Sequence, residues 1–439
     1  MKSRDQLIRK GIHLLTGFLV LFLSFVVHKQ VLLFLIAGGT VFAFATFNYQ
    51  RFALLHKTSG ASLGTLFYPL GVLTAHALLY NMPIHYFQIS LLILTVSDTV
   101  ANLTGQIKPG NQHFRAFREE KSLYGVLGFG LSALLIFWWL LPPSQLNFSA
   151  YVVLAILLSI TFEVVSYKGS DNFSIPVGSA LFFLIMERHE GSLVFLIAVI
   201  LFSAGGAWLL FRMSLLTRHA AVVVYFMGVY FFGVLGLSWT LPLLAFFFSS
   251  VILTRFHDRF RGKVRPASRR NAWQVLANGL WAILASAAYL VFREPVLIYL
   301  YISIVAAVTA DTWASEIGPV IHRRCFSLAH GRMLTSGVSG GISPAGTLAS
   351  MAGSFGVSLM ALYLFFGTIE WPLLLVLTLA GFMACFVDTL LGAFVEKKLE
   401  QMAVFRTEGM KEALTPNDIV NLLGSLSAPV FFMVLWLLS

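Results

Sequence analysis

Two cysteines in 439 residues are too few for a disulfide scaffold or a zinc site, so Cys325 and Cys385 read as packing residues. Charge is scarce too: Asp, Glu, Lys and Arg together make up 11% of the chain, less than half the share of an ordinary soluble domain. No Gly-Lys-Ser/Thr stands at Walker A spacing, which excludes a P-loop nucleotide site. The first apolar run has no small-residue cleavage site and reads as a retained helix.

What fills the chain instead is apolar. Hydrophobic residues make up 58%, 41 residues are Phe, and the mean hydropathy is +0.83. A soluble domain cannot hide that much apolar surface. The expected fold is all-α, a polytopic helical membrane protein with about fifteen transmembrane helices in two bundles. Apolar runs ending at charge, Pro or Gly put eight spans near 12–27, 31–48, 62–80, 84–104, 123–141, 151–166, 174–186 and 191–211. Seven more fall near 220–237, 239–253, 273–291, 295–313, 343–366, 371–393 and 420–438.

Charge sets the expected orientation. Of the 30 Lys and Arg residues, 27 lie in alternate loops, leaving Lys29, Arg188 and Arg293 on the other side. The positive-inside rule then puts the N-terminus and the polar segments in the cytoplasm, in a multi-pass protein of the bacterial inner membrane. The net charge of +11 is largely a product of topology. It calls for no nucleic acid, and it suits anionic lipid headgroups or phosphorylated substrates.

A short basic connector, residues 212–219, divides the chain into expected domains 1–212 and 213–439. On both sides a helix carries Asp followed by Thr and leads into a basic, glycine-containing segment: Asp98-Thr99, Asp311-Thr312 and Asp388-Thr389. Each Asp is expected to close its apolar run at the cytoplasmic end. An Asp inside the bilayer costs roughly 2.5–3.5 kcal/mol on insertion scales, so Asp98, Glu163, Asp311, Glu316 and Asp388 need a compensating role. One reading is pairing with a neighbouring cation or amide. The other is ligation of Mg²⁺, whose hard charge suits carboxylates and which commonly arrives with a phosphate-bearing substrate; Asp98, Asp311 and Asp388 are the expected metal ligands.

In the first half, Arg9-Lys10-Gly11-Ile12-His13, Asp98-x2-Ala101-x3-Gly105 with Gly110, Lys121-Ser122-x2-Gly125, and Glu163 with Asp171-Asn172 follow one another. This order resembles the phytol and dolichol kinases over roughly residues 1–212. The resemblance implies CTP-dependent phosphorylation of a long isoprenoid alcohol. Asp98 would help hold Mg²⁺, Gly105 and Gly110 would let the backbone approach phosphates, and Lys121 and Ser122 would contact them. The chain departs from the dolichol-kinase pattern at Glu120 and Tyr124. Without the family, Lys121 reads as an interfacial anchor, His13 as a core histidine and Asp171-Asn172 as turn chemistry.

In the second half come Asn271-Ala272-Trp273-Gln274 with Asn278, Asp311-Thr312-Trp313-Ala314-Ser315-Glu316-Ile317-Gly318, and Gly337-Val338-Ser339-Gly340-Gly341-Ile342-Ser343 with Gly346-Thr347. Asp388-Thr389-Leu390-Leu391-Gly392 and Asn417-Asp418-x2-Asn421 follow. The set resembles the integral membrane family that includes phytyl-phosphate kinase. Backbone N–H groups and hydroxyls between 337 and 347 suit phosphate oxygens, although small residues also serve close helix packing. Asn271, Gln274 and Asn278 share a helical face beside Arg270, an amide surface suited to a nucleotide.

Two such halves imply sequential phosphoryl transfer. An isoprenoid alcohol becomes its monophosphate in the first and its diphosphate in the second, with Mg²⁺ as cofactor, CTP or another nucleoside triphosphate as donor, and membrane lipid as surroundings. The rival reading is a two-repeat transporter or flippase with buried acids as cation sites. That class places its polar residues at mid-membrane, whereas here they gather toward one side.

Overall fold

The computed structural model describes residues 2–47, 64–107, 112–116, 119–141, 148–166, 169–260, 269–336, 339–401 and 414–438. The chain is an all-helical, polytopic membrane protein. Among the described residues, fifteen long helices correspond one for one to the apolar runs. Eleven are long and apolar enough to cross a membrane, and two shorter apolar stretches, Lys10–Val26 and Ser149–Val164, add to them. The chain forms two compact units, Met1–Leu196 and Ile197–Ser439. The break therefore falls near the start of a helix and not in the basic connector that follows it.

The first unit holds α1 (Lys2–Val26), α2 (Lys29–Thr46), α3 (Gly64–Leu78), α4 (Ile84–Gly105), a hairpin of β1 (His113–Ala116) and β2 (Glu119–Ser122), α5 (Leu123–Leu140), α6 (Phe148–Val165) and α7 (Asp171–Arg188). The core helix is α7: every residue from Ile175 to Met186 is buried, which is why its sequence is apolar all round instead of amphipathic. It packs on α3 and α6, while α4 packs on α5. The approach of α3 to α7 requires glycine, because a Cβ on Gly71 would lie 2.3 Å from the Asn172 carbonyl oxygen. A π-helical stretch, Ile93–Ser97, interrupts α4 immediately before Asp98; such insertions are common at functional sites.

The second unit begins within α8 (Leu193–Arg212). It continues through α9 (Arg218–Leu235), α10 (Leu237–Phe260), α11 (Ala272–Phe292), α12 (Val296–Ile321), strands β3 (Arg324–Ser327), β4 (Arg332–Thr335) and β5 (Gly341–Ile342), then α13 (Pro344–Phe366), α14 (Trp371–Phe394) and α15 (Pro416–Leu438). The strands form an antiparallel sheet in the order β4-β3-β5. Here α12 is the core helix, buried without a break from Tyr301 to Ala310, and α10, α11, α13, α14 and α15 all pack against it.

Two expectations need correction. The Asp residues do not end their helices: α4 runs on to Gly105, α12 to Ile321 and α14 to Phe394. No Pro directly follows any of the acids, and the helix that carries each one goes on packing against its neighbours, so nothing stops it there. In addition, α12 extends well past the expected 313, which carries Glu316 inside a helix.

Candidate active sites

In the first unit, α4 carries Asp98 two turns before Gly105, and Ser122 caps α5, its Oγ accepting from the Gly125 amide at 3.1 Å. The two helices meet at these small residues. A Cβ on Gly105 would stand 2.8 Å from Ser122 Oγ, and one on Gly125 would be as close to that oxygen and 2.9 Å from the Ala101 carbonyl. The hairpin β1–β2 closes the loop between the helices and places Lys121 directly before the cap. Lys121 donates to Glu163 Oε1 at 2.8 Å, and Lys10 donates to Asp98 Oδ2 at 2.5 Å. His13 Nε2 lies 3.8 Å from the same Asp98 oxygen and 3.3 Å from the Leu94 carbonyl.

Asp98, Glu163 and Asp171 each bring a carboxylate oxygen within 4.8 Å of the other two. Octahedral Mg²⁺ with ligands at about 2.0–2.1 Å spans opposite oxygens of roughly 4 Å, so a small closure brings the three into one coordination shell. Asp98 is 7% exposed and Glu163 is 8%, and Glu163 Oε2 has no hydrogen-bond partner among the described residues. That orphaned, buried oxygen fits an incoming cation or proton. Asp171 opens α7 and accepts from the Asn172 amide at 2.9 Å; the Asn172 side chain donates to the Gly64 carbonyl at 3.3 Å. These groups line one cavity of about 1030 Å³ together with Tyr68, whose ring centroid is 4.5 Å from that of His13. Tyr68 had no sequence signal, since a tyrosine in an apolar run reads as core. Gly110 lies outside the described residues, as does the Arg9 side chain.

The second unit repeats the crossing. Asp311 precedes Gly318 by the same two turns, and Ser343 caps α13, its Oγ accepting from the Gly346 amide at 3.1 Å. A Cβ on Gly318 would lie 2.9 Å from Ser343 Oγ, and one on Gly346 would lie 3.2 Å from the Ala314 carbonyl. Asp98, Ala101, Gly105, Ser122 and Gly125 thus correspond in position and contact to Asp311, Ala314, Gly318, Ser343 and Gly346. A small sheet links the two helices in both units.

The electrostatics differ. Asp311 and Asp388 line the same small gap, and two bare carboxylates sharing a site repel, so a proton or a cation between them is favoured. Among the described residues neither forms an ion pair with a lysine or arginine. They face a small gap lined also by Asn278, Cys385, Asn421 and Gly424. Beyond Asp388 on α14, the Ser339 hydroxyl bonds Glu396, and Gly340, at φ +74°, sits where a Cβ would strike Ala393. The glycine loop is therefore seated on the end of the helix that carries Asp388. Ser343 spends its side chain on the cap, the Thr347 hydroxyl donates to the Ser343 carbonyl at 3.1 Å, and Gly341 lies in β5.

Glu316 does not join the acids. Five residues after Asp311, it points about 140° away around α12 and accepts from Thr254 at 2.6 Å, with His257 Nδ1 at 2.7 Å. The i, i+3 spacing of those partners on α10 was the available signal. Asn271 and Gln274 form a reciprocal capping box at the start of α11, so their side chains satisfy backbone groups before any ligand. Asn278 reaches the acid gap, while Arg270 donates to Ser250 Oγ at 2.6 Å over the Phe247 ring. Asp418 accepts from the Thr415 amide and hydroxyl, both at 2.8 Å, and its other oxygen is buried without a partner among the described residues. Asn417 lies in the first turn of α15 and Asn421 one turn on; Gly337 is outside the described residues.

Fold and buried acids define an integral membrane protein with many helical spans. Residues 200–428 match the family described as Integral membrane protein DUF92, and the chain belongs to that family. It is 33% identical over 164 residues to an uncharacterized membrane protein of Methanocaldococcus jannaschii, covering 37% of this chain and 67% of that one. It is 28% identical over 192 residues to an uncharacterized membrane protein of Synechocystis sp., covering 42% and 74% respectively. No solved structure matches it.

Proposed function

We propose that the protein is a bifunctional membrane kinase that converts an isoprenoid alcohol to its monophosphate in the first unit and that monophosphate to the diphosphate in the second. The observation that carries this reading is the cluster of Asp98, Glu163 and Asp171 in one cavity with Lys10 and Lys121, matched in the second unit by Asp311 on the corresponding helix crossing and Asp388 of α14 on the same gap. The sequence resemblances supply the substrate class and CTP as the preferred donor. The inner-membrane location and cytoplasmic sites follow from the charge bias.

The three acids of the first unit would hold Mg²⁺, which supplies charge neutralisation at the transferring phosphoryl group. Lys10 and Lys121 then exchange their carboxylate partners for phosphate oxygens. The alcohol oxygen bonds to the γ-phosphorus, and the bond from that phosphorus to the bridging oxygen breaks. The nucleoside diphosphate leaves with the electron pair, and the hydroxyl proton passes to Glu163 Oε2, the carboxylate oxygen with no partner of its own. In the second unit the nucleophile is a phosphate oxygen, so the main requirements are positioning, to which the glycine loop contributes, and charge neutralisation, which a Mg²⁺ held by Asp311 and Asp388 would supply.

Purified full-length protein incubated with Mg²⁺, γ-labelled CTP or ATP and prenyl alcohols or monophosphates is expected to yield labelled prenyl mono- and diphosphates. Absence of label in any prenyl product overturns the reading, and pyrophosphate release with the nucleotide on the lipid replaces it by nucleotidyl transfer. The orientation is tested separately. Cysteines placed at Glu120 and Arg269 are expected to label only from the cytoplasmic side and one at Glu190 only from the opposite side; reversed labelling refutes the topology.

A further inference from the structure

The cavity that holds the acids of the first unit does not end with them. On α1 its lining continues through Thr16, Leu19 and Val20 to Leu23, and on α2 it runs from Ile36 to Leu32. Residues at such spacing form a single stripe along each helix, and the two helices are antiparallel neighbours joined by a tight turn at residues 27–28. From Lys10 to Leu23 the stripe covers roughly 20 Å at 1.5 Å per residue, about two-thirds of a hydrocarbon core some 30 Å thick. At the turn end, Lys29 donates to the Met82 carbonyl at 2.5 Å and to the Tyr80 carbonyl at 3.3 Å, tying α2 to the end of α3 beside the last apolar lining residues.

Two features suit this arm to a lipid tail. Its walls are apolar below Thr16, and several side chains along it are accessible: Leu19 is 54% exposed and Leu35 is 50%. Gly39 also lines the cavity, and a Cβ there meets nothing within 4 Å. Such a slot, continuous with a charged head pocket, takes an amphiphile with one reactive polar end and one linear apolar chain. We infer that the stripe between α1 and α2 binds the isoprenoid tail of the acceptor alcohol and limits its length, with Gly39 level with Thr16 as the point where the slot narrows or opens.

This inference rests on the proposed function for the identity of the head group alone, so its test needs a readout that does not depend on phosphoryl transfer. A diazirine-tagged geranylgeraniol photolysed with the full-length protein in nanodiscs is expected to label α1 between Leu19 and Leu23 and α2 between Leu32 and Gly39. Excess untagged geranylgeraniol should suppress that labelling, and excess phosphatidylglycerol should not. In the same preparation, Gly39→Trp is expected to weaken geranylgeraniol binding at least about tenfold, equivalent to roughly two methylenes kept out of the slot, while geraniol binding is unchanged. Labelling on other helices, equal competition by phosphatidylglycerol, or a chain-length profile untouched by Gly39→Trp overturns the proposal. Should Gly39→Trp fail to assemble, Leu35→Trp gives the same comparison and the labelling map stands independently. Phosphorylation without labelling here refutes the tail site and spares the kinase reading; labelling without phosphorylation does the reverse.

Discussion

Asp98→Asn is expected to cut phosphorylation of a prenyl alcohol by at least about a hundredfold, the scale on which loss of one preorganised charged group at a transition state is felt. Conversion of a supplied prenyl monophosphate to the diphosphate should stay close to the wild-type rate. Asp98 contributes one of the three clustered carboxylates and also holds Lys10 at 2.5 Å. The substitution therefore weakens the metal site and leaves a partly buried ammonium without its counter-charge. The second effect lowers stability on its own, because an uncompensated buried charge is costly. Combining Asp98→Asn with Lys10→Met removes that cation, so stability should recover, while alcohol phosphorylation stays lost because the metal ligand and a phosphate-facing ammonium are both gone. Equal loss of both reactions in Asp98→Asn, with the protein still monodisperse, would mean one composite site instead of two.

The fold was legible because the bilayer leaves few choices. Helices satisfy their own backbone, so apolar runs of the right length become helices almost without exception. The parts that were not legible depend on what lies opposite. Nothing local says that α12 continues beyond residue 313, since Trp313, Ala314, Ser315 and Glu316 are compatible with either outcome; packing against α10 and α13 decides it. Glu316 reads as one more acid in need of compensation because its partners, Thr254 and His257, lie on a different helix. Asn271 and Gln274 illustrate a different ambiguity. An Asn followed three residues later by Gln before an apolar run is also a capping-box signature, and the same amide groups that suit a nucleotide suit the helix terminus. The repeat was partly visible as Asp-Thr pairs, but its sharper form is the Asp, Ala, Gly, Ser, Gly set of contacts. It emerges only when Gly105 meets Ser122 and Gly318 meets Ser343. The small sheets between those helices gave no periodic signal at all, their strands being two to four residues long.

The second large effect is expected in the other unit. Asp388→Asn should abolish diphosphate formation from a prenyl monophosphate, again by at least about a hundredfold, and yet leave the protein at least as stable as wild type without added metal. The reason is the buried pair. Asp311 and Asp388 line one small gap with no lysine or arginine ion-paired to them among the described residues, and two carboxylates sharing a site repel when both are charged. An amide at position 388 carries no charge, which relieves the repulsion and fills nearly the same volume. The cost appears when Mg²⁺ is added. Ligand-linked stabilisation grows with the ratio of free ligand to its dissociation constant. Wild type should therefore melt at a higher temperature in Mg²⁺, and with Asp98→Asn in the background the remaining increase reports the second unit; Asp388→Asn should remove it. Glu316→Gln provides the contrast. Its carboxylate serves Thr254 and His257, so this change should lower the melting temperature and leave the Mg²⁺-dependent increase in place. If Asp388→Asn keeps the Mg²⁺ response while Glu316→Gln loses it, the metal belongs with Glu316 and the assignment of Asp311 and Asp388 is wrong.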